Sequence, residues 1–211
     1  MVRVYHKGVF LLNKVSLDSP RTGTWSLTTE RIVIAGVLAA ITIVLGLVPG
    51  IGFIPVPTIS AHATIEHVPT ILGGVLAGPV VGIISGLIFG IMSFTQATTP
   101  LFKDPLVAIL PRLFIGLVAW AVFAGLKPFN RDVAAGAAGF LGSVTNTVLV
   151  VAMLIIRGYI PLAVALTLIP QALAEAIVAT ILTVILARVF YIIQKRYIHA
   201  VDTKPRSELP Y

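Results

Sequence analysis

Cysteine is absent from this chain of 211 residues, and charged residues make up only 11% of it. Without cysteine there are no disulfides, no thiolate metal ligands and no cysteine nucleophiles. About a quarter of the residues in a typical soluble domain are charged, so this chain has too few charges to cover a water-exposed surface. Hydrophobic residues account for 57% of the sequence. The composition therefore predicts a protein whose surface faces lipid.

Motifs for catalysis and nucleotide binding are also missing. The sequence contains no G-x-x-x-x-G-K-[ST] phosphate loop, no H-E-x-x-H zinc motif and no G-x-S-x-G nucleophile elbow. His62 and His67 are five residues apart, a spacing that does not stack both side chains on one helical face. We therefore expect a protein that is not an enzyme, binds no metal or cofactor and does not itself hydrolyse ATP.

Six apolar segments predict membrane spans, because a crossing takes about 20 helical residues. They are residues 32–48, 61–77, 79–94, 105–126, 133–156 and 161–193. Residues 51–60 contain two prolines and are expected to form an extended connector. The sequence thus predicts an all-α integral membrane protein: a compact six-helix bundle over residues 29–196, between an N-terminal segment 1–28 and a C-terminal tail 197–211.

Positive charge is concentrated at the two ends of the chain, whose net charge is +7. Ten of its fifteen lysines and arginines lie within the first 31 residues or from residue 188 onward. Lysine and arginine are enriched on the cytoplasmic side of membrane proteins, so we expect both termini to be cytoplasmic in a plasma-membrane protein. Nucleic acid is not an expected partner, because no basic stripe with interleaved aromatic residues accompanies the high pI.

Polar residues inside the predicted spans are the candidate functional residues, because such residues usually face a cavity or the bundle interior. Arg112, Asn146 and Gln171 come from three different helices and lie about 10 to 15 Å from the outer ends of those helices. Glu175 follows Gln171 by one helical turn and shares its face. The full candidate set for an outward-facing pocket for a small polar molecule is Arg112, Asn146, Gln171, Glu175, Glu66, His67 and Gln96.

Other interpretations of these residues stay open at this point. Arg112 and Glu175 could form a structural ion pair, and His67 could be a neutral structural histidine. Glycines at positions 78, 82, 86 and 90 recur every four residues, which favours either close helix packing or a sliding surface.

Two runs of sequence carry a family resemblance. Residues 63–79 (ATIEHVPTILGGVLAGP) and residues 104–116 (DPLVAILPRLFIG) resemble the S components of energy-coupling factor (ECF) vitamin transporters, and the second run is similar to the pantothenate-type branch. The resemblance covers roughly residues 30–196. It implies a membrane-embedded subunit that captures a vitamin from outside, docks on a transmembrane coupling protein and is powered by two separate ATPase subunits.

The resemblance also implies roles for particular residues. The family's A-x-x-x-A docking motif matches Ala35 and Ala39 on the first helix. The carboxylate, amide and hydroxyls of pantothenate would suit Arg112, Asn146 and Gln171, which makes pantothenate the expected substrate, although Glu175 would also suit an amine-bearing ligand. The alternative function is an autonomous secondary transporter of a small polar or anionic solute, with Glu66 or Glu175 coupling transport to protons.

Overall fold

The computed structural model describes residues 23–48, 50–55 and 62–202 of the chain. The N-terminal residues 1–22 and the C-terminal residues 203–211, which the sequence assigns to cytoplasmic segments, lie outside the described residues. The helices are α1 (Thr29–Leu47), α2 (His67–Ala77), α3 (Pro79–Thr95), α4 (Pro105–Ala108), α5 (Leu110–Leu126), α6 (Arg131–Ile156), α7 (Leu162–Leu166) and α8 (Ile169–Asp202), with a short 3-10 helix at Pro100–Lys103.

Within the described residues, four helical segments are long and apolar enough to cross a membrane. They are α1, the consecutive helices α4 and α5 taken together, α6, and α8 as far as Arg196. The helices α2 and α3 are apolar but shorter, with 11 and 17 residues. The prediction of an all-α membrane protein is confirmed at this level. Since α8 runs to Asp202, the first residues of the predicted tail are helical.

The second predicted span, residues 61–77, begins six residues before the helix that the structure shows there. Residues 62–64 form strand β2, which pairs antiparallel with strand β1 (Phe53–Pro55), and α2 begins only at His67. The extended connector was therefore predicted correctly at residues 53–55, but a helix from residue 61 was wrong. Ten of the eleven residues of α2 are buried, so this short helix forms the centre of the bundle.

Two other predicted spans are interrupted next to a proline. The segment 105–126 breaks at Ile109, and the segment 161–193 breaks at residues 167–168. Pro111 and Pro170 each occupy the second position of the helix that follows the break. Proline suits the first turn of a helix, where its missing N–H is not needed, but it cannot continue a preceding helix.

The glycine stripe is a packing surface between α3 and α5. A Cβ atom added at Gly82 would collide with the backbone of Gly116, one at Gly86 with the carbonyl of Arg112, and one at Gly90 with Ile109. In lipid the hydrophobic effect does not drive helices together, because the lipid tails are themselves apolar. The close approach of the two backbones stabilises the α3–α5 contact through dispersion instead. Gly78 is different, because its φ of 98° forms the turn between α2 and α3. The packing interpretation of the stripe is thus confirmed at three of its four glycines.

Candidate ligand-binding site

A cleft with both charged and apolar walls opens at the end of the bundle opposite the start of α1 and the end of α8. The cleft encloses about 80 Å³ before its open mouth, which is less than the volume of a typical small-molecule site, about 300 to 1,000 Å³. Four predicted site residues line it together: Arg112, Asn146, Gln171 and Glu175. The remaining lining residues are Thr64, Phe102, Thr147, Val150, Val151, Leu154, Leu168 and Ala172.

Arg112 is the buried cation of the cleft, with only 4% of its surface exposed. Its guanidinium carbon lies 5.4 Å from the ring centre of Phe89 and 5.5 Å from that of Phe102, so two aromatic faces stabilise the charge. Two of its five N–H groups are used: Nη1 donates to the Val107 carbonyl at 2.5 Å and Nη2 to the Ser93 hydroxyl at 3.2 Å. Three N–H groups have no hydrogen bond described above, and one of them, Nε–H, is buried without a partner among the described residues.

The position of Arg112 follows from the local sequence. In a regular helix the amide of residue 111 would donate to the carbonyl of Val107, four residues earlier. Residue 111 is proline, which has no N–H, so that carbonyl is left free. The guanidinium of the next residue, Arg112, donates to it instead. The break between α4 and α5 thus fixes the cation at the edge of the cleft.

Glu175 faces the cleft from α8. Its Oε1 accepts hydrogen bonds from the backbone N–H of Thr64 on β2, at 3.2 Å, and from the side-chain amide of Gln171, at 2.9 Å. Neither of the two ion pairs within the described part of the chain includes Arg112 or Glu175, so the interpretation of a direct pair between them is not the arrangement found. Cation and carboxylate instead occupy separate positions on the wall of one cleft.

Asn146 contributes the main polar group of α6. It is buried, with 5% of its surface exposed, and its Oδ1 has no hydrogen-bond partner among the described residues. Buried polar atoms are nearly always satisfied, so this oxygen is a candidate acceptor for a ligand donor. Val150 and Leu154 follow on the same helical face and make the adjoining wall apolar.

Hydrogen bonds to Asp104 fix the connector that carries Phe102. Asp104 caps α4 by accepting from the Leu106 amide at 2.9 Å. The same carboxylate accepts from Nε of Arg157 at 2.7 Å and from the Tyr159 hydroxyl at 3.1 Å, which ties this connector to the turn after α6. Burial of Asp104 opposes its ionisation, but these hydrogen bonds outweigh burial and hold the pKa of the carboxyl below its usual range. Asp104 is therefore ionised at neutral pH.

Three predicted site residues do not line the cleft. Glu66 and His67 are fully buried at the start of α2, and none of their side-chain polar atoms has a hydrogen-bond partner within the described residues. The Glu66 carboxyl faces Gly46 of α1, because a Cβ added to that glycine would meet Glu66 Oε1. Gln96 is exposed at the C-terminal end of α3.

The predicted docking residues Ala35 and Ala39 differ in exposure. Ala35 belongs to the hydrophobic core, with 9% of its surface exposed, whereas Ala39 is half-buried. The small residues that are fully at the surface of α1 are their neighbours Gly36 and Ala40.

Sequence reasoning missed most of the cleft's remaining lining residues. Thr147, Val150, Val151 and Leu154 could have been found by extending the helical face of Asn146 along α6. Thr64 could not, because residues 61–77 were predicted as a single helix, which conceals the strand that brings Thr64 to Glu175.

The fold and the cleft together define a multi-pass membrane protein that has a partly charged cleft at one end of an apolar bundle. The chain belongs to the family of ECF transporter substrate-specific components, whose model matches residues 30–187. That range includes every residue that lines the cleft. Family membership places the chain among the membrane-embedded components of ECF transporters, and it confirms the resemblance found in the sequence.

Two curated relatives are similar to this chain. The pantothenic acid transporter PanT of Lactococcus lactis subsp. cremoris is 33% identical over 107 residues, which cover 41% of this chain and 53% of that protein. The pantothenate transporter PanT of Leuconostoc mesenteroides subsp. mesenteroides is 29% identical over 141 residues, which cover 61% of this chain and 69% of that protein. The chain thus spans about half the length of the first relative and about two thirds of the second.

Proposed function

We propose that this chain is the subunit of an ECF importer that captures pantothenate from outside the cell and delivers it by docking on a coupling protein served by two ATPase subunits. The observation that carries this proposal is Arg112, a buried cation on the wall of the cleft whose protein partners use only two of its five N–H groups. Guanidinium groups bind carboxylates through paired hydrogen bonds, and pantothenate carries one carboxylate. The names of the two relatives support the same substrate.

The rest of the cleft suits the rest of pantothenate. The molecule has an amide and two hydroxyls, which can donate to Oδ1 of Asn146 and to the carboxylate of Glu175. Its two geminal methyl groups need apolar contacts, and Val150, Val151 and Leu154 provide them. An amine-bearing ligand would also suit Glu175, but it would bring a second cation close to Arg112. The cation Arg112 at one part of the cleft and the acceptors Asn146 and Glu175 at the other therefore favour pantothenate over an amine-bearing ligand.

We also propose that α2 and α3 complete six membrane segments, with both termini cytoplasmic. The 17 residues of α3 rise about 26 Å, close to the thickness of a bilayer core of about 30 Å. The 11 residues of α2 rise about 17 Å, and the β1–β2 pair would complete that crossing. Non-helical backbone is tolerated at this depth where it lines a cavity, as Thr64 does. With cytoplasmic termini, the cleft opens outward.

Binding to the purified full chain tests the substrate. Isothermal titration calorimetry compares pantothenate with its alcohol analogue, in which a hydroxymethyl group replaces the carboxylate. Loss of a charge-assisted hydrogen bond costs about 1.5 to 3 kcal/mol, so the analogue should bind about 10 to 150 times more weakly. Equal affinities would contradict recognition of the carboxylate. If neither compound binds, pantothenate is the wrong substrate, although the family assignment remains.

The secondary transporter remains a second candidate because of one observation. Glu66 is a fully buried carboxyl with no hydrogen-bond partner within the described part of the chain. Buried acids of this kind carry protons in many ion-coupled carriers. An ion-coupled carrier would accumulate substrate without ATPases, whereas a binding subunit would not.

A further inference from the structure

A second cleft lies at the other end of the bundle, between the first turn of α6 and the C-terminal part of α8. Its volume is about 450 Å³. We name it the basal cleft; it is lined by Arg131, Asp132, Arg188, Tyr191, Ile192, Gln194 and Lys195. It lies far along the helices from the cleft of Arg112, and the proposed function makes no use of it.

The basal cleft has an excess of positive charge. Arg188 and Asp132 neutralise each other through two hydrogen bonds, from Nη2 at 2.5 Å and from Nε at 3.2 Å. Neither ion pair in the described ranges includes Arg131 or Lys195, so two cationic charges remain. The guanidinium of Arg131 lies over the ring of Tyr191, at 5.4 Å, which fixes its position on one wall.

One acidic residue, Glu30, lies near the rim of the basal cleft and is already hydrogen-bonded. Glu30, in the first turn of α1, accepts a hydrogen bond from the side-chain amide of Gln194 at 3.3 Å. This carboxyl offsets part of the positive charge on the side of α1, whereas Arg131 is the first residue of α6 and lies over the ring of Tyr191.

The depth of the basal cleft corresponds to the headgroup region of a bilayer. From Ile169 to Arg188, α8 rises about 28 Å, nearly the thickness of a hydrocarbon core. Large apolar side chains continue from the cleft along both helices toward the membrane interior. Val133 on α6 is 62% exposed, and Val189 and Ile185 on α8 are 48% and 52% exposed.

We propose that the basal cleft binds the phosphate headgroup of an anionic phospholipid whose acyl chains lie along the exposed faces of α6 and α8. Arg131 and Lys195 supply the cationic N–H donors that a phosphodiester requires. The adjoining apolar faces favour a lipid over a free anion, because they would leave an inorganic phosphate beside hydrocarbon. Basic pockets between membrane helices at this level suit anionic headgroups generally.

Native mass spectrometry of the purified full chain in detergent tests this proposal. Phosphatidylglycerol and phosphatidylcholine with identical acyl chains are titrated separately, and retained lipid is measured. We expect a clear preference for phosphatidylglycerol. Each of Arg131→Gln and Lys195→Gln should reduce this preference about fivefold, and the double variant about 30-fold. Inorganic phosphate at millimolar concentration should not displace the bound lipid.

Lys127→Gln is the matched control. Lys127 is an exposed cation at the same end of the molecule, but it does not line the basal cleft. If its replacement weakens the preference as much as Lys195→Gln does, the lipid responds to diffuse charge and the proposal is wrong. Displacement by inorganic phosphate would identify a general anion site instead. Full lipid preference in the double variant, with loss of uptake in the complete transporter, would identify a protein contact.

The double variant Arg131→Lys with Lys195→Arg changes both side chains but keeps their charges, so it separates the effect of charge from the effect of altered side chains. It should keep the preference for phosphatidylglycerol if charge at these two positions is what the lipid recognises. Thermal unfolding of each variant shows whether its fold is intact. Loss of the preference in this folded variant would also contradict the proposal.

Discussion

A single buried arginine dominates the chemistry of the cleft that Asn146, Gln171 and Glu175 also line. Arg112 is removed from water, yet its charge is stabilised by two aromatic rings and by the carbonyl that Pro111 leaves free. Moving a cation into such surroundings without partners would cost several kcal/mol. The partners present use only part of its hydrogen-bonding capacity, and a ligand carboxylate can use the rest.

Replacing Arg112 by alanine should weaken pantothenate binding by about 1.5 to 3 kcal/mol. The alcohol analogue should lose much less affinity, because it has no carboxylate for the guanidinium to bind. Calorimetry of both compounds with the native chain and the variant gives a double comparison that isolates this one contact. If both compounds lose the same affinity, Arg112 maintains the shape of the cleft rather than binding the carboxylate.

Lys103→Ala is the control for this measurement. Lys103 is an exposed cation in the 3-10 helix next to Phe102, and it does not line the cleft. Its removal changes the net charge by the same amount. Pantothenate affinity should remain that of the native chain, since screening weakens the field of an exposed charge.

At the scale of elements, the contact between α3 and α5 determines where Arg112 lies. Gly86 of α3 touches the backbone of Arg112 itself, and Gly82 touches Gly116 one turn further along α5. Because these contacts are between backbones, neither side can move aside by changing a rotamer. The glycines therefore link the packing of the bundle to the position of the cation.

Gly86→Ala should destabilise the protein by about 1 to 3 kcal/mol, because the added methyl group would press on the carbonyl of Arg112. It should also weaken pantothenate binding by moving the start of α5. Thermal unfolding and calorimetry measure the two effects. Gly36→Ala is the matched control, since no atom of the described residues lies within 4 Å of its added Cβ. The control should be neutral or slightly stabilising.

For the whole molecule, the surface of α1 is the proposed contact with the coupling protein. Gly36 and Ala40 are exposed and Ala39 is half-buried, so a partner helix could approach closely there. Ala35 is unsuitable for a test by bulky replacement, because a tryptophan in the core would disrupt the fold itself.

Gly36→Trp and Ala39→Trp should abolish uptake by the complete transporter in proteoliposomes while pantothenate still binds. Val148→Trp, at a residue of α6 that is 57% exposed, is the control and should retain both activities. Proteoliposomes that contain this chain alone should not accumulate pantothenate under a proton gradient. Accumulation there would favour the secondary transporter, and normal uptake by both α1 variants would rule out docking through this face.

The sequence alone determined that the chain is a helical membrane protein with a polar site, because hydropathy and the rarity of charge depend only on composition and order. It also indicated four residues of the cleft, since Arg112, Asn146, Gln171 and Glu175 are polar side chains that lipid would exclude. Helical rise was enough to place them at similar depth, and periodicity put Gln171 and Glu175 on one face.

Only the tertiary structure decided which polar residues meet. Glu66 and His67 have the same polarity and similar depth, but α2 turns them into the bundle and away from the cleft. Thr64 reaches Glu175 through a strand pairing between segments that no helical period reveals. Depth along a helix is a local property that sequence spacing records, whereas the direction of a side chain relative to other helices depends on contacts between distant segments.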